Sequence, residues 1–288
     1  IGLTLKRITD NFTNVQLLVT GSSSFELQSN LSEPLTGRKY EYHLYPISTA
    51  ELYDSQGLLP VKQMFESRLI YGSYPDIINH TDEAKELLMN IANSYLYKDL
   101  LAMNEIRRPI LLEKLLIALA LQVGSEVSYN EVAQTIGTDN KTVEKYIDLL
   151  EKCYVIFRLN AFNRNLRTEL KKSKKIYFYD NGIRNAVIQN FAPLSLRQDT
   201  GALWENFFIS ERIKANHYNG NYAKSFFWRT TQQQEIDYIE EADGNFTAFE
   251  MKWNPNKRQI TFPSPFLNNY PVKETVVITP ENYLEWVM

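Results

Sequence analysis

"EIDYIEEADGNFTAFEMKW", residues 235–253, reads as two strands joined by a tight turn. Asp243-Gly244 suits a two-residue hairpin loop, because both central positions need positive φ and this pair tolerates it. Centring the turn there sets Asp237 opposite Glu250 and Glu235 opposite Lys252. Directly opposed residues share a face, and period-two alternation adds Lys252 to the face of Asp237 and Glu250. Ile236, Tyr238, Phe249, Met251 and Trp253 then form the core side. Two opposed carboxylates repel unless something positive lies between them. One reading is a hard divalent cation, Mg²⁺, held by Asp237 and Glu250, with Lys252 orienting or deprotonating a water. The other is structural: Glu235 pairs with Lys252 in an exposed ladder while Asp237 and Glu250 stay solvated.

Composition limits what the hairpin belongs to. With 288 residues and 44% apolar content the chain supports two or three domains. A net charge of -3 supplies no global field for nucleic acid, so such binding needs a local basic patch. One cysteine, Cys153, excludes an internal disulfide framework. His43, His80 and His217 are too widely spaced for a zinc cluster. No secretion signal or membrane span is evident, so a cytoplasmic location without membrane partners is expected.

Upstream of the hairpin, the chain opens on a helix and an apolar run, Val15 to Thr20, that fits a buried strand of a parallel sheet followed by "GSSS". No Gly-x-x-x-x-Gly-Lys-Ser/Thr pattern occurs in the 288 residues. Helical sequence is expected from about residue 60, with an amphipathic helix from Asp82 to about Met103 and another from Pro109 to Gly124. Ser128 and Glu131 form a capping-box pattern over a short helix that Gly137 ends, and a second helix follows from Thr138 or Asp139. A β-branched and aromatic run, Tyr154 to Leu159, completes the order of a winged helix-turn-helix. Its expected DNA contacts are Asn140, Lys141, Thr142 and Lys145. Seven basic residues against one acid, Glu169, fall between Arg158 and Lys175. Of these, Arg164, Arg167, Lys171, Lys172, Lys174 and Lys175 are expected to meet phosphates; the structural reading is a solvated loop.

"EID" followed at a distance by "EMK" resembles the Asp … Glu-x-Lys signature of the PD-(D/E)xK nuclease superfamily. "GALWENFF" resembles the first helix of that fold, which makes Glu205 a further acid and assistant to a second metal ion. Together with "LLVTGSSSFEL", "TVEKYIDLLEKCYVIFRL" and "KIYFYDNGIRNAV", these segments resemble a family of bacterial and archaeal AAA-type ATPases. The resemblance implies an α/β and α+β multidomain chain: the remnant of a P-loop ATPase core at 1–60, a helical segment and winged helix at 61–160, and a restriction-endonuclease-like domain at 161–288. It also implies that the Walker segments should precede Ile1, so that only an intact member uses ATP. Two functions follow as expectations: a DNA-binding, Mg²⁺-dependent nuclease-like protein with Asp237, Glu250, Lys252 and Glu205 at its centre, or a non-catalytic DNA- or protein-binding module.

Overall fold

The computed structural model describes residues 2–12, 14–21, 39–94, 106, 108–163, 174–254, 256 and 260–288. Its organising element is a seven-stranded sheet. In chain order the strands are β1 (Glu126–Val127), β2 (Ile156–Ala161), β3 (Lys174–Phe178), β4 (Lys224–Arg229), β5 (Glu235–Ala242), β6 (Asn245–Met251) and β7 (Val272–Ile278). They lie side by side as β1-β3-β2-β4-β5-β6-β7. The β2/β4 and β6/β7 contacts are parallel and the others antiparallel. The boundary expected at residue 160 therefore falls inside β2, a strand bonded along both edges.

Helices cover the sheet. Those of the first half are α1 (Gly2–Asn11), α2 (Thr49–Gln56), α3 (Leu58–Gln63), α4 (Phe65–Tyr71), α5 (Pro75–Asn79), α6 (Ala84–Ile91) and α7 (Pro109–Leu121). Then come α8 (Tyr129–Ile136), α9 (Asn140–Lys152), α10 (Asn181–Val187), α11 (Thr200–Tyr218), α12 (Ser264–Asn269) and α13 (Leu284–Val287). Pro109 opens α7, where its missing N–H costs nothing. Ser128 caps α8 by accepting from the Glu131 N–H, and Asp139 caps α9 by accepting from the Thr142 N–H. The helical stretch expected from about residue 60 begins already at Thr49, because Ser48 and Glu51 form a complete capping box. The helix expected from Asp82 is described over Ala84–Ile91; its later part, with residues 95–105, lies outside the described residues.

One expected strand does not form. Val15 to Thr20 has no strand assignment, and Leu18 is 88% exposed. A buried parallel strand needs neighbours on both edges, and among the described residues none pairs with this run.

The main core runs from α4 to α13 and includes Leu115, Ile147, Phe178, Trp204, Phe208 and Phe249. α11 is hydrophobic around much of its girth because it is buried between α4, the sheet and α13: Leu203, Trp204, Phe207, Phe208 and Ile209 are all inaccessible or nearly so. A smaller second core holds Trp228, Ile236, Ile239, Phe246, Phe262 and Phe266. Buried charges tie the segment around α2 and α4 to α11. Glu211 accepts from the Thr49 backbone N–H at 2.6 Å and lies 3.3 Å from Arg68 and 2.8 Å from Lys214. Burial alone would raise the Glu211 pKa, but Lys214 and Arg68 outweigh it and hold it down at about 2.

Candidate functional site

The hairpin has the register its turn chemistry predicts. Asp243 and Gly244 sit at φ 50° and 78°, and β5 pairs with β6 from Tyr238↔Phe249 to Ala242↔Asn245. Positive φ at both positions is what lets the strands keep their twist through a two-residue loop. Beyond Tyr238 the geometry departs from simple alternation. Opposite β4, the register shifts between Phe226 and Trp228, leaving an extra residue in β5 between Ile239 and Ile236. The bulge corrects the expected core face: Ile236 joins the second core, whereas Tyr238, Phe249 and Met251 belong to the first. It also frees Asp237 from the ladder, and its Oδ2 accepts from the Met251 backbone N–H at 3.0 Å.

Around this bulge the three hairpin residues converge. Lys252 Nζ lies 3.0 Å from Glu250 Oε2 and 3.9 Å from Asp237 Oδ2. Burial, then the neighbouring Asp237 carboxylate, pushes the Glu250 carboxyl up to about 7 despite Lys252. Lys252 feels burial against its charge, but Asp237 and Glu250 raise its pKa and keep it an ammonium. It is therefore placed to donate hydrogen bonds and orient a water more readily than to remove a proton. Trp253, next in the chain, stacks on Phe65 of α4 and anchors the end of β6.

Glu205 approaches from α11, as its helix predicts, but its immediate partners come from β3. Its Oε1 accepts from the Tyr177 hydroxyl at 2.6 Å and from Lys175 Nζ at 3.2 Å. Burial foremost, together with Asp237, raises the Glu205 carboxyl to about 7 against the pull of Lys175. Lys175 also lies 2.6 Å from Glu235 and over the Phe227 ring at 5.5 Å. Burial works against its charge, yet Glu205, Asp237 and Glu235 outweigh it and raise its pKa. Glu235 thus pairs with Lys175, and at 3.6 Å with Arg229, where a ladder pair with Lys252 was expected.

The placement of Lys175 corrects its expected role as a surface phosphate contact, since its side chain is only 2% exposed. Lys174 projects over the Tyr129 ring, and Arg158 is bound to Asp148 and Glu151. Arg164, Arg167, Lys171 and Lys172 lie outside the described residues. On α9, Lys141 and Lys145 are exposed. The Thr142 hydroxyl donates to Asp139 at 2.7 Å, and Asn140 donates to Asn130 at 2.6 Å.

Tyr177 is a site residue that sequence reasoning missed, while Lys175 and Glu235 were expected in other roles, as a phosphate contact and as the partner of Lys252. Lys175 and Tyr177 stand two apart in "KKIYF", on one face of a strand. A lysine in such an apolar strand was the available signal.

Asp237 and Glu250 suit Mg²⁺, which binds one or two carboxylates and keeps several waters. Among the described residues no group of three or more His, Cys, Asp or Glu side chains is arranged to hold a metal ion. The fit is thus to two carboxylates, with Glu205 engaged elsewhere.

Comparison with known proteins divides the chain into three matched segments. Residues 1–53 match a family described as an AAA domain, 62–194 match Domain of unknown function (DUF8612), and 200–286 match Domain of unknown function (DUF4143). The matches support an AAA-type ATPase-like family. Relatives of this kind, each carrying the name "uncharacterized protein", come from Haemophilus influenzae (28% identity, 61% of this chain and 46% of the relative), Mycobacterium tuberculosis (23%, 93% and 63%) and Methanocaldococcus jannaschii (24%, 73% and 52%). The chain therefore spans between 46% and 63% of these relatives' length. No solved structure matches it significantly. Within this family-like division, β1 to β3 and β4 to β7 belong to different matched segments. The cluster joins them: Lys175 and Tyr177 come from one segment, and Glu205, Asp237, Glu250 and Lys252 from the other.

Proposed function

We propose that this chain is the nucleic-acid-binding, nuclease-like portion of an AAA-type ATPase-like protein, whose reaction is divalent-cation-dependent hydrolysis of a phosphodiester. The observation that carries the reading is the meeting of Asp237, Glu250 and Lys252 at a β-bulge, with Glu205 beside them on a buried helix. Asp237 and Glu250 are the residues that would hold Mg²⁺, which supplies Lewis-acid polarisation of a phosphoryl oxygen when bound. The Lys252 ammonium orients the attacking water or steadies a non-bridging oxygen as charge develops there. Attack forms a bond from water oxygen to phosphorus as that water gives a proton to solvent, the phosphorus–sugar oxygen bond breaks, and the leaving oxygen takes a proton from solvent.

Lys141 and Lys145, exposed on α9 of a helix-turn-helix like that of winged-helix domains, supply backbone contacts that position DNA. After α9, β2 and β3 form an antiparallel pair and β2 also pairs with β4. The test is incubation with duplex, single-stranded and branched DNA in Mg²⁺ or Mn²⁺, comparing the native chain with Asp237→Asn. Cleavage by the first and none by the second is expected; no cleavage of any substrate by the native chain overturns the catalytic reading.

A second reading has its own observation. Lys252 already neutralises Glu250 at 3.0 Å, as it would in a non-catalytic module that keeps only the nuclease-like arrangement and binds DNA or protein. Salt-sensitive DNA binding without cleavage is the outcome that favours it.

A further inference from the structure

Resting on the catalytic reading, we infer that the centre takes one divalent cation per chain and that Lys175 permanently occupies the place of a second. Glu205, the acid that would serve another ion, is already spoken for. Its Oε1 accepts from both the Lys175 ammonium and the Tyr177 hydroxyl, leaving it turned toward β3. Lys175 is clamped from the other side by Glu235 at 2.6 Å and floored by Phe227. At 2% exposure it cannot swing into solvent to make room. Such a fixed ammonium delivers positive charge without coordination, so it holds a carboxylate in place with no exchange of ligands.

Charge balance leads to the same count. Glu205, Glu235, Asp237 and Glu250 face Lys175 and Lys252, and the rim pair Glu126 and Arg229, 3.0 Å apart, cancels itself. With every group ionised, the excess is two negative charges, which one divalent cation neutralises. A second ion would leave a buried positive excess, which is costly. The two ammoniums differ in access: Lys252 is 32% exposed and can give way to an entering ion, whereas Lys175 is 2% exposed and held between Glu205, Glu235 and the Phe227 ring. Lys175 is thus a positioning residue, acting through Glu205, and it comes from a different matched segment than the carboxylates it serves.

The experiment is a Mn²⁺ titration of the whole chain, following the free-ion electron paramagnetic resonance signal, for the native protein, Lys175→Gln and Lys175→Arg. The expected stoichiometries are one ion for the native chain, two for Lys175→Gln, whose freed Glu205 and Glu235 accept another, and one for Lys175→Arg. Two ions on the native chain, or one on a folded Lys175→Gln, overturns the inference and leaves the catalytic reading standing. No bound ion on the native chain overturns both. Should Lys175→Gln fail to fold, the native count decides by itself.

Discussion

At the scale of single residues, the centre is a balance of raised carboxyls against fixed ammoniums, and its pH dependence follows from the sign of that balance. Glu250 ionises less easily in the folded chain than its ordinary value of 4.5 would have it, reaching about 7. A carboxyl raised on folding costs the native state nothing below its unfolded value and its full penalty above its folded one. Glu250→Gln should therefore stabilise the metal-free protein by about 1–3 kcal/mol at pH 8 and leave it unchanged near pH 4. Thermal melts at both pH values check this, and a variant less stable at pH 8 would show that the Lys252 pair dominates. The hairpin stretch made this group legible as a site, because turn chemistry sets the register and register sets which acids meet. The bulge that lets Asp237 leave the ladder was not legible, since it depends on how β4 packs against β5.

At the scale of elements, α4 and α10 meet so closely that one position between them has no room for a side chain. A Cβ on Gly182 would overlap the Tyr71 carbonyl oxygen, a backbone atom that cannot rotate away. Nearby, the Asp180 carboxylate accepts from the Ser73 and Ile183 N–H groups, fixing the turn into α10. Gly182→Ala should accordingly cost about 1–3 kcal/mol, measured by urea denaturation; a neutral result would mean the two helices separate freely. Helices such as α8 and α9 could be read from caps and periodicity, and their Ser128 and Asp139 caps form as the spacing implies. The apolar run at Val15 to Thr20 could not be read correctly, because strand propensity carries no information about whether a neighbouring strand exists.

At the scale of the whole molecule, the sheet and the main core run through both of the segments that match domains of unknown function. Leu69 and Val287 belong to one continuous apolar cluster. Among the described residues no helix is long and apolar enough to cross a membrane. A fragment of residues 161–288 would lose β1 and all but one residue of β2, exposing β4 along the edge that β2 covers. It should show no cooperative thermal unfolding and should aggregate, whereas residues 39–288 should unfold in a single transition. Circular dichroism melts of the two decide it, and a cooperative melt from the short fragment would refute the dependence.

What the sequence by itself determined is local: the Asp243-Gly244 turn and the register that follows from it, the capped helices α8 and α9, the Pro109 start of α7, and the candidate trio Asp237, Glu250 and Lys252. Each rests on interactions between residues close in the chain, where spacing alone says which groups can meet. Tertiary structure alone decided that β2 and β3 join the hairpin's sheet, that Lys175 is buried, and that Glu205 faces Lys175 and Tyr177. These depend on which strand lies beside which, a choice made by packing between residues 28 or more positions apart, and no periodicity within either segment records it.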